Sequence, residues 1–391
     1  MADGAATRTR KAAGTATRRR ARDEARPRQP RWPVPPVLAR HVRNGIVESV
    51  HRGDVVEVDA AGRMLRLIGD PDRFVYLRST VKPHGLVSLL RAGGQQEFDL
   101  TPDEIAIMVS SHSGEDLHVR TIQALYRRLG IPQTILACGA ENAPLDALTA
   151  SRLARDGEHP SALRHMCSGQ HSAIILLAKL GGWELETYWH ADHPAQVAYR
   201  DGVADAYNVP ASSLRTGIDG CGILTYAFPL REVARAYAIL ADPDAVPSDD
   251  PRAALAPHLI TIRDAMLAHP ELVGGTRDRL DSSLMKAAEG RVVSKSGMEA
   301  LRGIGILRGP RGNGAEVPAS GIAIKIEDGD GHDRATWSAS VEAARQAGVL
   351  AGQPLRMLAR YHQPQTLDPH GRTGAETIPA FDLAPVGELI G

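Results

Sequence analysis

The sequence predicts an α+β fold whose sheet is built from N- and C-terminal segments, with a helical region between them. Short stretches of alternating apolar and polar residues occur near both ends of the chain, as is typical of strands. The middle instead repeats apolar residues every three or four positions, as amphipathic helices do. No internal repeat interrupts this order, so we expect a single folded body rather than an array.

The strands of the first part begin near residue 38. We predict strands over Ile46–His51, Val55–Asp59 and Met64–Ile68, with a turn at 60–63 between the last two. In the final third, "RVVSKSG" (291–297) and "SGIAIKIEDGDG" (320–331) have the same β-rich character.

Helices are predicted from caps as well as periodicity. Thr101 and Glu104 have the spacing of a capping box, and a helix should run from Asp116 to Leu129 and stop at Gly130. Asp281 or Ser282 should cap a short helix ending before Gly290. The other predicted helices cover residues 171–182, 230–241, 257–274 and 336–348.

Composition divides the 391 residues into three parts. Residues 1–37 are rich in Arg, Pro and Ala. Such a segment buries too little apolar surface to fold, so we expect a disordered, basic N-terminal head. Residues 38–362 should form the main folded domain, and 363–391 a Pro/Gly-rich tail. Ten of the first 31 residues are Lys or Arg against three Asp or Glu, so the remaining chain has 36 basic and 43 acidic residues. This mildly acidic body gives no reason to expect nucleic acid as a partner.

Neither export nor membrane insertion is predicted. No run of 18 apolar residues occurs, and no apolar segment follows the basic head. The three cysteines are too few for a disulfide framework, which predicts reduced thiols and a cytoplasmic location.

The first candidate site is Ser79-x-x-Lys82. A lysine three residues after a serine can reach its hydroxyl on a helix, but Ser283-x-x-Lys286 shows how readily this spacing arises. Pro83 disfavours helical geometry at Lys82, so the pair must lie in a first turn or in a bend before a helix.

Two further motifs strengthen the interpretation. Ser111-His112-Ser113 and Lys295-Ser296-Gly297 follow in the order S-x-x-K, S-x-x, K-S-G, and serine β-lactamases carry related motifs in that order. Ser113 stands where that class prefers Asn. A neutral lysine could act as base here, because burial and a second nearby amine lower its pKa. The chain has only six lysines beside 40 arginines, so a lysine at these positions suggests a need for an amine that can lose its proton.

A thiol cluster is the other candidate. Cys167 and Cys221 with a histidine would suit zinc, although the spacing alone favours two buried thiols. Cys138 is expected in the core. His112, Glu115 and His118 either serve the site or reflect the polar residues common at a helix start.

As a set, these motifs resemble the L-asparaginase II family, the class 3 or rhizobial-type asparaginases. The resemblance rests on "VESVHRG", "LRSTVKP", "SSHSGE", "HMCSGQHS", "GIDGCG", "SLMKAAEGRVVSKSGMEA" and "IAIKIEDGDG", and covers about residues 42–345. It implies a serine β-lactamase-like fold, a homodimer, and hydrolysis of the side-chain amide of L-asparagine.

The resemblance also implies roles for individual residues. Ser79 with Lys82, and Ser111 with Lys295, match the family's two Ser–Lys pairs. Arg78 matches the arginine before the first serine, and Asp219 the aspartate near the second cysteine. Cys167 and Cys221 match two zinc ligands. The expected substrate-binding residues are Arg78, His112, Glu115, Asp219 and Gln170.

Three positions depart from the family pattern: Met166 replaces Asn, Ala300 replaces Gly, and Gln170 replaces the lysine that is the third zinc ligand. With Gln170, the third ligand is open: either His171 or Asp219 completes a zinc site, or the site is metal-free.

Three functions therefore remain. The first is an asparaginase-type amidohydrolase in which Ser79, or alternatively Ser111, attacks the amide. The second is a serine hydrolase of another amide, such as L-glutamine or a β-lactam. The third is a non-catalytic relative that binds an amino acid or zinc.

Overall fold

An antiparallel sheet joins the two ends of the chain in the computed structural model, which describes residues 33–141, 143–312, 314–329 and 334–388. Its strand order is β12-β13-β1-β2-β11-β8-β7, with β3 pairing β2 and β14 pairing β3. The strands are β1 Val37–Arg43, β2 Ile46–Asp59, β3 Met64–Ile68, β4 Phe74–Tyr76, β5 Arg215–Ile218, β6 Leu224–Pro229, β7 Val292–Gly297, β8 Leu301–Ile306, β9 Gly309–Arg311, β10 Ala315–Val317, β11 Ser320–Ile326, β12 Gln365–Leu367, β13 Thr373–Pro379 and β14 Ala384–Pro385.

Helices fill the middle of the chain, as predicted, so the α+β architecture is confirmed. They are α1 Lys82–Arg91, α2 Gly94–Glu97, α3 Pro102–Met108, α4 Asp116–Leu129, α5 Ala147–Asp156, α6 Ser168–Leu180, α7 Pro194–Ala206, α8 Leu230–Ala241, α9 Ala256–Ala268, α10 Pro270–Val273, α11 Leu280–Ala287, α12 Ala335–Gln346, α13 Gly352–Met357 and α14 Ala359–His362. Short 3₁₀ turns occur at Arg78–Val81, Gln133–Ile135, Ala162–Arg164, Ala211–Ser213, Pro243–Ala245, Pro251–Leu255 and Val386–Glu388.

Strand β2 differs from its prediction. The two strands predicted at Ile46–His51 and Val55–Asp59 form one continuous strand. Gly53 pairs with Ile326 of β11, and a Cβ at Gly53 would lie only 2.1 Å from the Lys325 carbonyl oxygen. The glycine is therefore required by the close approach of β11 and does not mark a break.

Helix ends follow local chemistry. Helix α4 begins and ends where the caps predict, with Gly130 in the left-handed conformation at φ 65°, and Thr101 and Glu104 form the predicted capping box. The predicted helix over 257–274 is instead divided into α9 and α10. Pro270 disfavours helical geometry at the preceding residue, and His269 leaves the helix with φ −129° and ψ 56°.

Strands β12 and β13 lie in the part of the chain that the sequence assigned to the tail. Strand β13 pairs with β1, with Ala39 opposite Pro379. The C-terminal segment thus extends the sheet beyond residue 362. The predicted disorder of residues 1–37 falls mainly outside the described residues.

Two apolar cores cover the faces of the sheet. Helix α8 packs on β2, β8 and β11, and its core continues into the helical middle. Helix α12 lies against β1, β11 and β13 on the other face. Among the described residues, no helix is long and apolar enough to cross a membrane. Strand β7 ends where the sheet meets the helical middle, and the predicted Ser/Lys residues meet there.

Candidate active site

The hydroxyl of Ser111 lies between two lysine amines. The Nζ atom of Lys295 is 2.7 Å from Ser111 Oγ, and that of Lys82 is 3.2 Å from it. All three residues are buried, with exposed fractions of 4% or less. Three separate segments, β7, the start of α1 and the loop after α3, thus bring together residues that are far apart in the sequence.

Lys82 is the first residue of α1, and Pro83 follows it in the first turn, as the sequence predicted. Its amine also donates to the Ser110 carbonyl oxygen at 2.6 Å and lies 3.4 Å from Cys167 Sγ. Ser79 belongs to the preceding 3₁₀ turn. Within the described chain its hydroxyl has no hydrogen bond. The Lys82 amine therefore contacts the serine of the second predicted pair, whereas the Lys82 backbone N–H donates to the Ser79 carbonyl oxygen.

Lys295 reaches Ser111 from the edge strand β7 and donates to the Ser296 carbonyl oxygen at 2.8 Å. Burial lowers the pKa of this lysine well below its usual value. Lys82 and Arg279 lower it further, and Asp281 opposes them. A buried amine with a lowered pKa, next to a hydroxyl, has the properties of a general base.

The backbone around Ser111 is fixed by the segment after α10. Ser111 N–H donates to the Val273 carbonyl oxygen at 3.0 Å, and Arg279 Nη2 donates to the Ser111 carbonyl oxygen at 2.6 Å. Ser113 N–H donates to the Gly274 carbonyl oxygen at 2.9 Å. These bonds hold the serine in place independently of any substrate.

His112 and Glu115, predicted to bind substrate, are both engaged with protein groups. His112 accepts from Gly114 N–H at 3.1 Å, and its Nε2 lies 2.8 Å from Ser168 Oγ. Glu115 accepts from Ser113 Oγ at 2.7 Å and from Thr276 N–H at 2.8 Å. Burial acts to raise the pKa of Glu115, but the hydrogen bonds from Thr276 and Ser113 prevail and lower it. Both side chains thus support the loop that carries Ser111.

Arg78 and Asp219 form an ion pair beside Ser79. Arg78 Nε and Nη2 donate to Asp219 Oδ1 at 2.9 and 2.7 Å. Arg78 lines a cavity of about 520 Å³ together with Thr225, Glu299 and Lys325.

A second cavity, of about 470 Å³, is lined partly by Ser296, which follows Lys295 in the sequence. Its polar lining includes Ser113, Asp146, Arg277, Arg279 and Ser296. Both volumes suit a small molecule.

The thiols meet beside Lys82. A hydrogen bond between Cys221 and Cys167, together with Lys82, lowers the pKa of Cys167, while that bond and burial raise the pKa of Cys221. Cys138, Cys167 and Cys221 are all free and buried.

The candidate third ligands for zinc are largely engaged with protein groups. Gln170 donates its amide to Tyr199 Oη at 3.1 Å, and Asp219 is held by Arg78. His171 Nδ1 lies 2.5 Å from Tyr188 Oη, while His171 Nε2 is buried without a hydrogen-bond partner among the described residues. The described part of the chain has no group of three or more His, Cys, Asp or Glu that could hold a metal. Two thiols fall short of the four ligands typical of protein-bound zinc.

Sequence reasoning missed Asp281 and Arg302. Asp281 was predicted as a helix cap, but Arg279 occupies the cap position of α11 and the Asp281 carboxylate contacts β7 and Arg302. An acidic residue at a helix start is a common cap, so only the long-range pairing with β7 and β8 could have revealed this contact.

Comparison with known proteins gives one strong match. A family model described as L-asparaginase II matches residues 39–378. Among solved structures, a Bacillus glutaminase in 4.3 M NaCl overlaps with a TM-score of 0.38 at 12% identity, covering 76% of this chain and 91% of that one. A probable Bacillus subtilis glutaminase complexed with 6-diazo-5-oxo-L-norleucine overlaps with a TM-score of 0.35 at 14% identity, covering 77% of this chain and 86% of that one. Overlaps this low carry no argument here. Comparison with curated proteins returned no match.

Proposed function

Because the chain belongs to the L-asparaginase II family, we propose that it hydrolyses the side-chain amide of L-asparagine to L-aspartate and ammonia through a serine acyl-enzyme. The observation that carries this proposal is the Ser111 hydroxyl held between the amines of Lys82 and Lys295. A serine hydroxyl is a weak nucleophile unless a base lies within hydrogen-bonding distance and a further group orients that base. Ser111 meets both requirements, because the Ser296 carbonyl oxygen holds Lys295.

The protonation of the two amines follows from the single hydroxyl proton. Ser111 can donate that proton to one amine only, and an ammonium group cannot accept it. In this proposal Lys295, whose pKa is lowered by burial, accepts the proton, and the Lys82 amine donates to the same oxygen. This arrangement favours Ser111 as the activated hydroxyl.

The reaction is then balanced within the Ser/Lys cluster. Ser111 Oγ attacks the carboxamide carbon while Lys295 takes its proton. When the C–N bond breaks, Lys295 returns the proton to the leaving nitrogen and ammonia departs. Water attacks the resulting ester, again with Lys295 as base, and L-aspartate and the free Ser111 hydroxyl are restored.

Ser79 is the second candidate nucleophile. Its hydroxyl makes no hydrogen bond to other described residues and is therefore available to a substrate. In this scheme Ser79 attacks and Ser111 relays the proton along Lys82–Ser111–Lys295. Apo geometry does not decide against it, because catalytic hydrogen bonds often tighten only when substrate binds.

The test is ammonia release by the wild type, Ser111→Ala and Ser79→Ala on L-asparagine, L-glutamine and a panel of other amides. Rapid acid quench and peptide mass mapping would identify which serine carries the acyl group. An adduct on Ser111 supports the first scheme, and one on Ser79 the second. Full activity in both variants would contradict serine catalysis. Preferred turnover of L-glutamine, or a stable adduct with labelled penicillin, would assign a different substrate. Binding of asparagine in calorimetry without turnover would indicate a non-catalytic protein.

A further inference from the structure

The Asp281 carboxylate is bound to both sequence neighbours of Lys295. Its Oδ2 accepts from Ser296 N–H at 3.0 Å and from Ser296 Oγ at 2.6 Å, and its Oδ1 accepts from Ser294 Oγ at 2.7 Å. Side chains alternate along a strand, so Ser294 and Ser296 face α11 while Lys295 points the other way, to Ser111. One carboxylate thus fixes β7 on both sides of the lysine.

Arg302 completes this arrangement from β8. Ser296 and Arg302 are opposite each other in the antiparallel pairing, and Arg302 Nη1 donates to Asp281 Oδ1 and, at 3.1 Å, to Ser294 Oγ. Asp281 is 2% exposed and Arg302 1% exposed. A buried ion pair is often no more stabilising than apolar residues of the same volume, because both charges lose their hydration. Net stability is therefore a poor explanation for placing a charged pair here.

The end of β7 also faces the turn that carries Ser79. A Cβ at Gly297 would be 2.8 Å from the Leu77 carbonyl oxygen. A shift of β7 would therefore change the distance from Lys295 to Ser111 and disturb the contact with the Arg78–Val81 turn as well. Catalytic geometry is sensitive to such shifts, since a displacement of about 1 Å can lower a rate about 10²-fold.

We propose that the Asp281–Arg302 pair is a positioning device that holds β7 so that the Lys295 amine stays on the Ser111 hydroxyl. Asp281 is a positioning residue in this proposal, since it reaches the reacting atoms only through β7. The proposal rests on the function proposed above, because it assumes that Lys295 is the base.

The Asp281 carboxylate also acts electrostatically on the Lys295 amine. The charged or titratable groups that act on this amine are Asp281, Lys82, Arg279 and Cys167. Asp281 raises the pKa of Lys295, against burial and the two cations. Loss of the carboxylate charge would remove this effect and leave the Arg302 cation unbalanced, so the pKa of Lys295 would fall.

Two variants separate position from charge. Ser294→Ala removes one hydrogen bond of the carboxylate and keeps the ion pair, and Ser294 does not line either cavity. Asp281→Asn removes the charge and nearly keeps the shape, but leaves a buried arginine without its carboxylate and can impair folding. Glu57→Gln is the matched control. Glu57 is a fully buried carboxylate on β2 that accepts from Ser320 Oγ at 2.6 Å and from Arg311 Nη1 at 3.1 Å.

We expect Ser294→Ala to lower kcat about 10-fold, and Asp281→Asn about 10²-fold, with KM within about 3-fold of the wild type. Lys295 must be neutral to act as a base. The acid limb of the pH profile of kcat/KM should therefore move to lower pH in Asp281→Asn. Glu57→Gln should lower the melting temperature without moving the limb or the kcat of the folded enzyme. The proposal is overturned if folded Ser294→Ala and Asp281→Asn keep the wild-type kcat and pH profile, or if Glu57→Gln shows the same shift.

A readout that does not depend on turnover keeps this inference separate from the proposed function. The chain has only six lysines, so NMR of protein labelled with ¹³C at lysine Cε can resolve them, with Lys295→Met identifying the signal. The Lys295 signal should titrate at lower pH in Asp281→Asn than in the wild type, and Glu57→Gln should leave it in place. If no amide is turned over, the proposed function fails, and this comparison still decides whether Asp281 controls Lys295. An unchanged Lys295 titration in Asp281→Asn would refute that control.

Discussion

The chain contains the Ser-x-x-Lys pattern twice, and the two copies lie in contrasting environments. In the first, Lys82 is 1% exposed and its amine contacts Ser111, Ser110 and Cys167. In the second, the Lys286 side chain is 50% exposed and lies 3.4 Å from Glu271, while the Ser283 hydroxyl lies 3.0 Å from Tyr361 Oη. Among the described residues, neither lysine amine bonds to the serine of its own motif, although the Lys82 backbone N–H donates to the Ser79 carbonyl oxygen.

This contrast shows what the spacing can and cannot indicate. Residues three apart on a helix are neighbours, yet in both copies the partners come from elsewhere in the chain. The first copy differs because α1 points into the core, where β7 and the loop after α3 bring a second amine and a second serine. Burial and long-range convergence, and not the motif itself, make its chemistry plausible.

The strongest test of this contrast removes each lysine in turn. Lys82→Met should lower kcat/KM for amide hydrolysis about 10²- to 10⁴-fold, because Ser111 loses one of the two amines that hold its hydroxyl. Lys286→Met is the matched control and should change kcat/KM by less than about 2-fold. Ammonia release from protein with a native circular dichroism spectrum measures both. Comparable losses in the two variants would remove the distinction between the motifs.

A second test concerns the buried amine that completes the first site. Lys295 has a lowered pKa because of burial, so the unfolded chain binds its proton more tightly than the folded one does. Stability therefore rises with pH between the folded pKa of Lys295 and the unfolded value of about 10.4. In that range, the free energy of unfolding of the wild type should rise relative to that of Lys295→Met by up to about 1.4 kcal/mol per pH unit. Urea unfolding from pH 7 to 9.5 measures the difference, and a pH-independent difference would mean that Lys295 keeps its proton.

Local signals in the sequence were sufficient for the elements that carry the first site. The caps predicted α4 from Asp116 to Leu129 and its end at Gly130, and Pro83 correctly restricted Lys82 to a first turn. These features depend on residues within one turn of each other, which a sequence displays directly.

Long-range contacts were beyond such reasoning. Strand β2 was predicted as two strands, because the sequence does not show that the Lys325 carbonyl oxygen lies 2.1 Å from where a Cβ at Gly53 would be. Asp281 was interpreted as a cap because its partners on β7 and β8 lie 13 to 21 positions away. The contact of the Lys82 amine with Ser111 also arises only on folding, and the pairing of Ser79 with Lys82 stays a prediction.

The thiols beside the first site offer a smaller effect. Gln170 lies one turn after Cys167 on α6, at the position where the family pattern has lysine, and its amide is bound to Tyr199. We expect Gln170→Lys to retain zinc after dialysis against EDTA, and the wild type and the control Gln170→Met to lose it, because two thiols alone are a weak site. Elemental analysis measures the zinc. One zinc per chain retained by the wild type would show that another residue completes the ligand set.

The smallest expected effects are on stability, and here the second motif should be the more sensitive of the two. Ser283→Ala removes the contact with Tyr361 Oη, which still accepts from Arg360 Nη2 at 2.6 Å, so it should cost about 0.5–1.5 kcal/mol in the free energy of unfolding without loss of activity. Ser79→Ala should leave stability nearly unchanged, because the Ser79 hydroxyl is buried and has no hydrogen bond to the rest of the described chain. Urea unfolding of both variants measures this. A larger loss in Ser79→Ala than in Ser283→Ala would mean that the Ser79 hydroxyl supports the fold rather than remaining available to a substrate.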